Sequence, residues 1–502
     1  MKKYKAEQFC HDILGIDIKR AKALVNIIMA LGSFSRATNP TQLSNSPFFQ
    51  YHYSNVSKVM KEIGLKLTSS ESRKFKSGLY AILQQYLPNN EAYKLHSDFT
   101  TIRKPESPTL KRRGFVNIPN CRIAGNKPID IGYYISCVNV GLYDEAHPNS
   151  WNLPLDTERV DLDADKMQFA VEQLANILNH PDLPFGKSAK VVNSADSGYS
   201  VPQYIGPLVK QFDNLLLIIR LRHGVKVYQP YEGVQKDKGR QKAYADQAHY
   251  LQVGHIRRSH NPKTGEKFDK QVLSIFDIPT DEEKQYEILT RRGRPLVVQL
   301  YRWNGLLLRG TKEVPMHDKP FDLVCVRFVD KQTGAMVFKK DMYLSLWGKN
   351  RSSHSTVQTQ IDYLHRYDIE GHNRFMKQAL LADKYQTPIL ENLDAWLWTV
   401  QTTFWLLYAA STDTEVVVNS WEKYLPEVKR AENATAPMSA AMTRKGAEAL
   451  FSTFDLTPFA PQKSKNGKGR KKGTTFTKRK QHPPKRKQTT EQNKKQKIEK
   501  LE

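Results

Sequence analysis

Between Ala92 and Arg222 the sequence switches repeatedly between two periodicities, and this alternation restricts the fold more than any other feature. Ala92–Ile102, Phe115–Ile118 and Ile129–Val140 alternate apolar and polar residues and are rich in β-branched and aromatic side chains, which predicts strands. Asp163–Leu178 changes to helical spacing, with Met167, Val171, Leu174 and Leu178 on one face. Lys190–Ala195 is a short apolar strand, Pro202–Phe212 a helix, and Asn214–Arg222 (NLLLIIRLR) a strand apolar on both faces. The predicted order is three strands, helix, strand, helix, strand. Strands joined through helices pair in parallel and carry those helices on the sheet faces, so the expected class is α/β.

The flanks differ from this region. From Gly224 to Gly348 helical spacing disappears, and strand-like runs recur at Val225–Tyr231, Gln271–Ile278, Arg294–Tyr301, Leu306–Leu308, Asp322–Phe328 and Met336–Leu346. Basic turns separate or interrupt them at Arg257-Arg258, Arg291-Arg292-Gly293 and Lys339-Lys340. This reads as a β-rich insertion within the α/β domain. Helices return from Gln358 to about Ser411, where Trp396, Trp398, Phe404, Trp405 and Tyr408 read as core packing. Near the N-terminus, Ile18–Leu31, Asn55–Ile63 and Glu71–Tyr86 are helix candidates, forming either a DNA reader or a packing domain. The resulting divisions are 1–88, 89–223, 224–348, 349–412, a weakly helical 413–460 and a basic tail, 461–502.

Charge names the kind of partner. The chain of 502 residues carries a formal charge of +26, which calls for a polyanion, and nucleic acid is the commonest. About half of that excess lies between Gln462 and Glu502, where 16 Lys or Arg face 3 Glu. With almost no apolar residues, this tail is predicted to be disordered and to tether phosphates without sequence choice. A membrane is the weaker alternative. Leu215–Ile219 is too short to span one, and Ala395–Ala410 is interrupted by Thr399, Gln401, Thr402 and Thr403. No signal-peptide core follows the N-terminal Met. Cys10, Cys121, Cys137 and Cys325 are widely spaced, which argues against a disulfide framework or zinc site and fits a reducing cytoplasm.

Two features carry candidate chemistry. If residues 363–377 form one helix, Tyr363, Arg366, Glu370 and Lys377 fall in one narrow stripe at about 100° per residue. A carboxylate between a phenol and two cations suits metal binding beside a phosphate backbone, although helical charge pairs alone would give a similar pattern. The second feature is a pair of aspartates, Asp98 and Asp196, each at the end of a predicted strand. Three carboxylates from two strands and a helix can hold two divalent ions, and oxygen ligands favour Mg²⁺ or its surrogate Mn²⁺.

Tyr363-x2-Arg366-x3-Glu370-x6-Lys377 resembles the Y-(2)-R-(3)-E-(6)-K signature of bacterial insertion-sequence DDE transposases, the group with a β-rich insertion before the last Glu. Asp98 in SDFTT and Asp196 in NSADSGYS resemble the first two catalytic aspartates, with Asp130 a rival for the first. The resemblance covers roughly residues 90–460. It implies an RNase H-like (integrase-like) catalytic core and cut-and-paste chemistry with two Mg²⁺ ions held by Asp98, Asp196 and Glu370. It implies phosphate grip by Tyr363, Arg366 and Lys377, with Arg374 nearby on the same helix, and an insertion-domain tryptophan, Trp303 or Trp347, stacking on a flipped base. The implied partners are double-stranded DNA and a second copy of the chain in a homodimer. The implied location is the bacterial cytoplasm at the nucleoid. Alternatives are a noncatalytic DNA-binding relic of such an enzyme or another RNase H-like nuclease.

Overall fold

The computed structural model of the protein describes residues 4–88, 90–117, 129–144, 147–186, 189–235, 241–251, 256–260, 265–271, 273–290, 293–415, 417, 420, 438–456, 473 and 478–485. Its centre is a mixed sheet of ten strands, and the class is α/β. β1 (Ala92–Arg103) pairs antiparallel with β3 (Ile129–Asp144) on one side and parallel with β5 (Lys190–Ala195) on the other. β6 (Leu215–Leu221) continues the parallel part beyond β5. The far side of β3 is shared by β2 (Gly114–Asn117) and β4 (His147–Val160). Crossover helices α5 (Lys166–Leu178) and α6 (Pro202–Gln211) lie where the periodicity places them.

β4 is a strand that the sequence pattern does not signal. Its run HPNSWNLPLDTERV contains Pro148 and Pro154 and few β-branched residues. Among the described residues it pairs only with β3, and the register slips between Val138 and Asn139, opposite Pro154–Asp156. An edge strand with a bulge tolerates proline because the missing N–H would face outward.

The insertion is not a separate layer. β11 (Glu282–Leu289), β12 (Pro295–Leu306), β13 (Phe321–Asp330) and β14 (Met342–Trp347) form an antiparallel meander, and β14 pairs with β6. The central sheet therefore runs on through the insertion. β11, EEKQYEIL, is not among the expected strands: of its apolar residues Tyr286 and Ile288 pack inward, while its charges guard the outer edge. The expected Val225–Tyr231 strand is present only in pieces: Lys226–Val227 pairs as β7 with β8 (His249–Tyr250), while Tyr228 and Pro230 make isolated antiparallel bridges to Leu307 and Tyr244. The expected Gln271–Ile278 strand is instead a 3-10 turn, Ile275–Asp277, held by a capping box between Ser274 and Asp277. Arg257-Arg258 sits in β9 (Ile256–His260), paired with β10 (Lys267–Gln271), not in a turn. Lys339-Lys340 forms an exposed bend, and Arg291-Arg292 lies outside the described residues.

After α7 (Thr356–His365) and α8 (Asp368–Gln378) comes α9 (Leu390–Ala410), which is apolar almost all round. α1 (Lys5–Leu14), α2 (Ala21–Ser33), α3 (Ser54–Thr68), α4 (Ser72–Gln84) and α10 (Ala440–Ser452) complete a helical layer, with α1, α2, α3 and α10 packed directly against α9. Trp396 and Trp405 are fully buried there and donate to the carbonyls of Leu381 and Pro154. The aromatic cluster is core packing, as its spacing suggests. At Gly64 of α3, a Cβ would meet the Glu391 carbonyl oxygen at 2.7 Å. Gly64→Ala should therefore lower stability by about 1–3 kcal/mol despite alanine's better helix propensity, because backbone cannot yield as a side chain does. A melting curve at or above the wild-type temperature would show that the helices have room to part.

One short part of the tail departs from the expected disorder, and the rest, except Gly473, lies outside the described residues. Residues 478–485 dock on the core: His482 N donates to Pro108 O at 2.8 Å and Lys485 N to Arg113 O at 2.7 Å. Pro483 and Pro484 preset an extended backbone, so ordering this stretch costs less entropy than its charge content suggests. No helix among the described residues is long and apolar enough to cross a membrane.

Candidate active site

β1 presents two faces to two different layers. On one, Ser97 donates to Asn193 Oδ1 at 3.0 Å, and Asn193 in turn donates to the Tyr204 hydroxyl of α6. On the other, alternate residues run along α7 and α8. Lys94 Nζ lies 2.6 Å from Asp362, Asp98 accepts from Asn373 Nδ2 at 3.0 Å, and Thr100 meets Lys377 Nζ. The period-2 face of the strand and the successive turns of the helices thus match residue by residue.

Asp98 and Asp196 are neighbours across this sheet. Ser97 pairs with Ala195 on the parallel strand β5, and each aspartate is the next residue along. Asp98 lies inside β1, which runs on to Arg103, not at its end as the sequence suggests. It still sits at a sheet boundary, because β5 stops at Ala195 and leaves the ground beyond it open. Asp196 caps the 3-10 turn Ser197–Tyr199, accepting from Gly198 N at 2.8 Å. Burial pushes the Asp98 carboxyl up to about 7; the Arg366 guanidinium opposes the rise, and the charges of Asp196 and Glu370 add to it.

Glu370 lies on α8, near enough for its charge to act on Asp98. The single helix expected over residues 363–377 is broken: α7 ends at His365 and α8 starts at Asp368. Arg366 and Tyr367 keep right-handed helical angles, but Tyr367 N bonds to Leu364 O and Ile369 N to Arg366 O, tightening the path to three-residue steps. Arg366, 4% exposed, donates to Glu370 Oε1 at 3.0 Å, and its guanidinium lies 4.7 Å from the centre of the Tyr367 ring. Its Nε has no partner. Burial lowers the Lys377 ammonium below its ordinary value. Arg374, one turn after Glu370, is exposed, as is Glu370 itself.

Tyr363 is placed differently. It is wholly buried in the second apolar cluster, its hydroxyl has no partner, and burial raises the phenol to about 12. Tyr363→Phe should stabilise the free protein by about 1 kcal/mol, since it removes an unsatisfied buried hydroxyl. A denaturant titration showing a clear loss would mean that the hydroxyl finds a partner in solution.

Other candidates fall outside the site. Asp130 lies seven residues from Cys137, the β3 residue opposite Asp98, so roughly 23 Å separates it from the cluster. Trp303 and Trp347 are 1% and 0% exposed, Trp303 donating to Ile278 O and Trp347 stacked on Phe321 at 4.5 Å. Both serve the core, and neither face is open to a base. Asn373 is the residue the sequence reading misses: it holds Asp98 and accepts from the Cys137 thiol at 3.7 Å. Its place three residues after Glu370, on the strand-facing side of α8, would have disclosed it. As the side chains stand, no group of three or more His, Cys, Asp or Glu among the described residues is gathered closely enough to hold a metal ion. Glu370 turns to Arg366, and Asp98 to Asn373. No protein-family model matches this chain, and no curated protein matches it.

Proposed function

We propose that the protein is a DNA transposase of the DDE type that cuts phosphodiester bonds at the ends of its element and joins the freed 3′-hydroxyls to target DNA. The observation that carries this reading is the adjacency of Asp98 on β1 and Asp196 just past the end of parallel β5, with the charge of Glu370 on α8 also acting on Asp98. An antiparallel β1–β3–β4 part continued by parallel β5 and β6 accommodates an RNase H-like core. The basic tail and the net charge of +26 suit a DNA partner, and a homodimer at the nucleoid follows from the same reading.

The donor set fits a hard divalent cation: all three side chains offer carboxylate oxygens, and a bound cation would offset the burial and like charges that raise the Asp98 carboxyl. Asp98, Asp196 and Glu370 would hold Mg²⁺, or Mn²⁺ in its place. When bound, the ions supply Lewis acidity for the attacking and leaving oxygens. The protein's own part is positioning. Release of Glu370 from Arg366 frees a planar cation with an unpartnered Nε to grip a phosphate in two-point fashion, while Lys377 and exposed Arg374 add point charges. Arg366→Lys keeps the charge but loses that geometry and should slow single-turnover cleavage on the order of 10²-fold. A wild-type rate would assign Arg366 to Glu370 alone.

The deciding experiment incubates purified protein with the DNA that flanks its own coding segment, in Mg²⁺ or Mn²⁺. Nicks exposing 3′-hydroxyls at the element ends are expected. Intact ends under both metals, or equal nicking by Glu370→Gln, would overturn the reading.

A further inference from the structure

The docked tail segment carries the further inference. The segment docks through its C-terminal half: Lys485 makes a parallel bridge to Gly114 on the outer side of β2, and His482 is bonded to Pro108 and Arg113. Its anchor is Arg113, 3% exposed, which spends its guanidinium on main-chain carbonyls: Leu110 and Lys104 of the core at 3.3 and 3.0 Å, and His482 of the tail at 2.9 Å. Removing the tail would leave one buried arm of that guanidinium without its acceptor. Lys485 Nζ adds an ion pair to Asp163 at 2.5 Å. Lys104, in turn, donates to the carbonyls of Asp383 and Tyr385, just beyond α8. The segment is thus tied through two buried cations to the loop that follows the helix carrying Glu370.

What this anchoring leaves outside is a row of cations. Lys478, Arg479 and Lys480 are exposed, and none of them forms an ion pair among the described residues. Lys111 and half-exposed Arg103 lie on the same margin of the sheet. Lys104, whose carbonyl accepts from the anchoring Arg113, stands six residues after Asp98, so the anchor lies roughly 20 Å along the strand from the aspartate. At 3.4 Å per base pair, this is about six base pairs of duplex.

We propose that residues 478–485 form a fixed phosphate-binding rail for double-stranded DNA, gripping its backbone about six base pairs from the Asp98–Asp196–Glu370 cluster. The identity of the polyanion rests on the function proposed above; the rail itself rests on the docking. A disordered tether would sample phosphates anywhere within reach. A docked segment contacts them at one distance.

Two variants separate charge from anchoring. The triple variant Lys478→Gln, Arg479→Gln, Lys480→Gln keeps the prolines and the Arg113 contact. Pro483→Gly with Pro484→Gly keeps the charge and loosens the backbone. On a random-sequence duplex without metal, the triple variant should lose about two to three units from the slope of log K against log salt, and the glycine variant almost none. On a duplex bearing the element end, phosphate ethylation about six base pairs from the cleaved bond should block binding of the wild type but of neither variant. An unchanged salt slope for the triple variant overturns the rail. So does interference that persists in the glycine variant, since the charges would then act without the anchor. The two readings fail separately: a wild type that cleaves its ends without interference at that distance refutes the rail alone. A wild type that nicks nothing, yet shows the expected salt slopes, refutes the transposase reading alone.

Discussion

Asp98→Ala should reduce Mg²⁺-dependent cleavage of element ends by on the order of 10³-fold or more, while binding of the same ends changes little. The asymmetry follows from where the side chain sits. Asp98 is held by Asn373 and feels the charges of Asp196 and Glu370, whereas the cations offered to phosphate lie on α8 and the tail. Truncation removes a metal ligand but few groups that touch DNA. Asp196→Ala and Glu370→Ala should behave alike, and Asp130→Ala, whose carboxylate only accepts from the neighbouring Ile131 N–H, should cleave normally. Single-turnover cleavage and a gel-shift titration on the same preparation provide the two readouts. Asp98→Ala cleaving at the wild-type rate would remove the central carboxylate from the mechanism and the proposal with it.

Asp322→Ala should cost about 3–5 kcal/mol of stability. Asp322 is 2% exposed at the head of β13 and pairs with Arg302 at 2.7 Å and Arg351 at 3.1 Å, while also accepting from Gly305 N. Without it, Arg302, itself 5% exposed, keeps only neutral acceptors, among them the carbonyls of His354 and Arg351. A buried guanidinium deprived of its carboxylate is the expensive outcome. Replacing both partners with apolar residues should therefore cost less than the single change. Urea unfolding of Asp322→Ala and of the Arg302→Met, Asp322→Leu double variant tests this. A single variant within 1 kcal/mol of wild type would mean that water reaches Arg302. The network also joins the insertion to the loop that launches α7, so the single variant should impair cleavage beyond its loss of folded protein.

The amino-acid sequence determined those features that depend on local periodicity. β5, α6 and β6 lie within a residue of their expected bounds, because a buried strand flanked by amphipathic helices writes its pattern into contiguous residues. Asp196 at a strand end and Glu370 on a helix were legible for the same reason, as were the core roles of Trp396 and Trp405. Elements whose stability comes from a distant partner were not. β4 and β11 are edge strands, and an edge needs only one paired side, so prolines and charges pass unpunished there. The break at Arg366-Tyr367 has no proline or glycine to announce it. Nothing local to Lys478–Lys485 says that it docks; its acceptors and donors, Pro108 and Arg113, stand more than three hundred residues earlier in the chain. The adjacency of Asp98 and Asp196 also came only with the fold. The alternation says that two strands are parallel, but a register between segments almost a hundred residues apart is fixed by packing on both sheet faces, which no local pattern records.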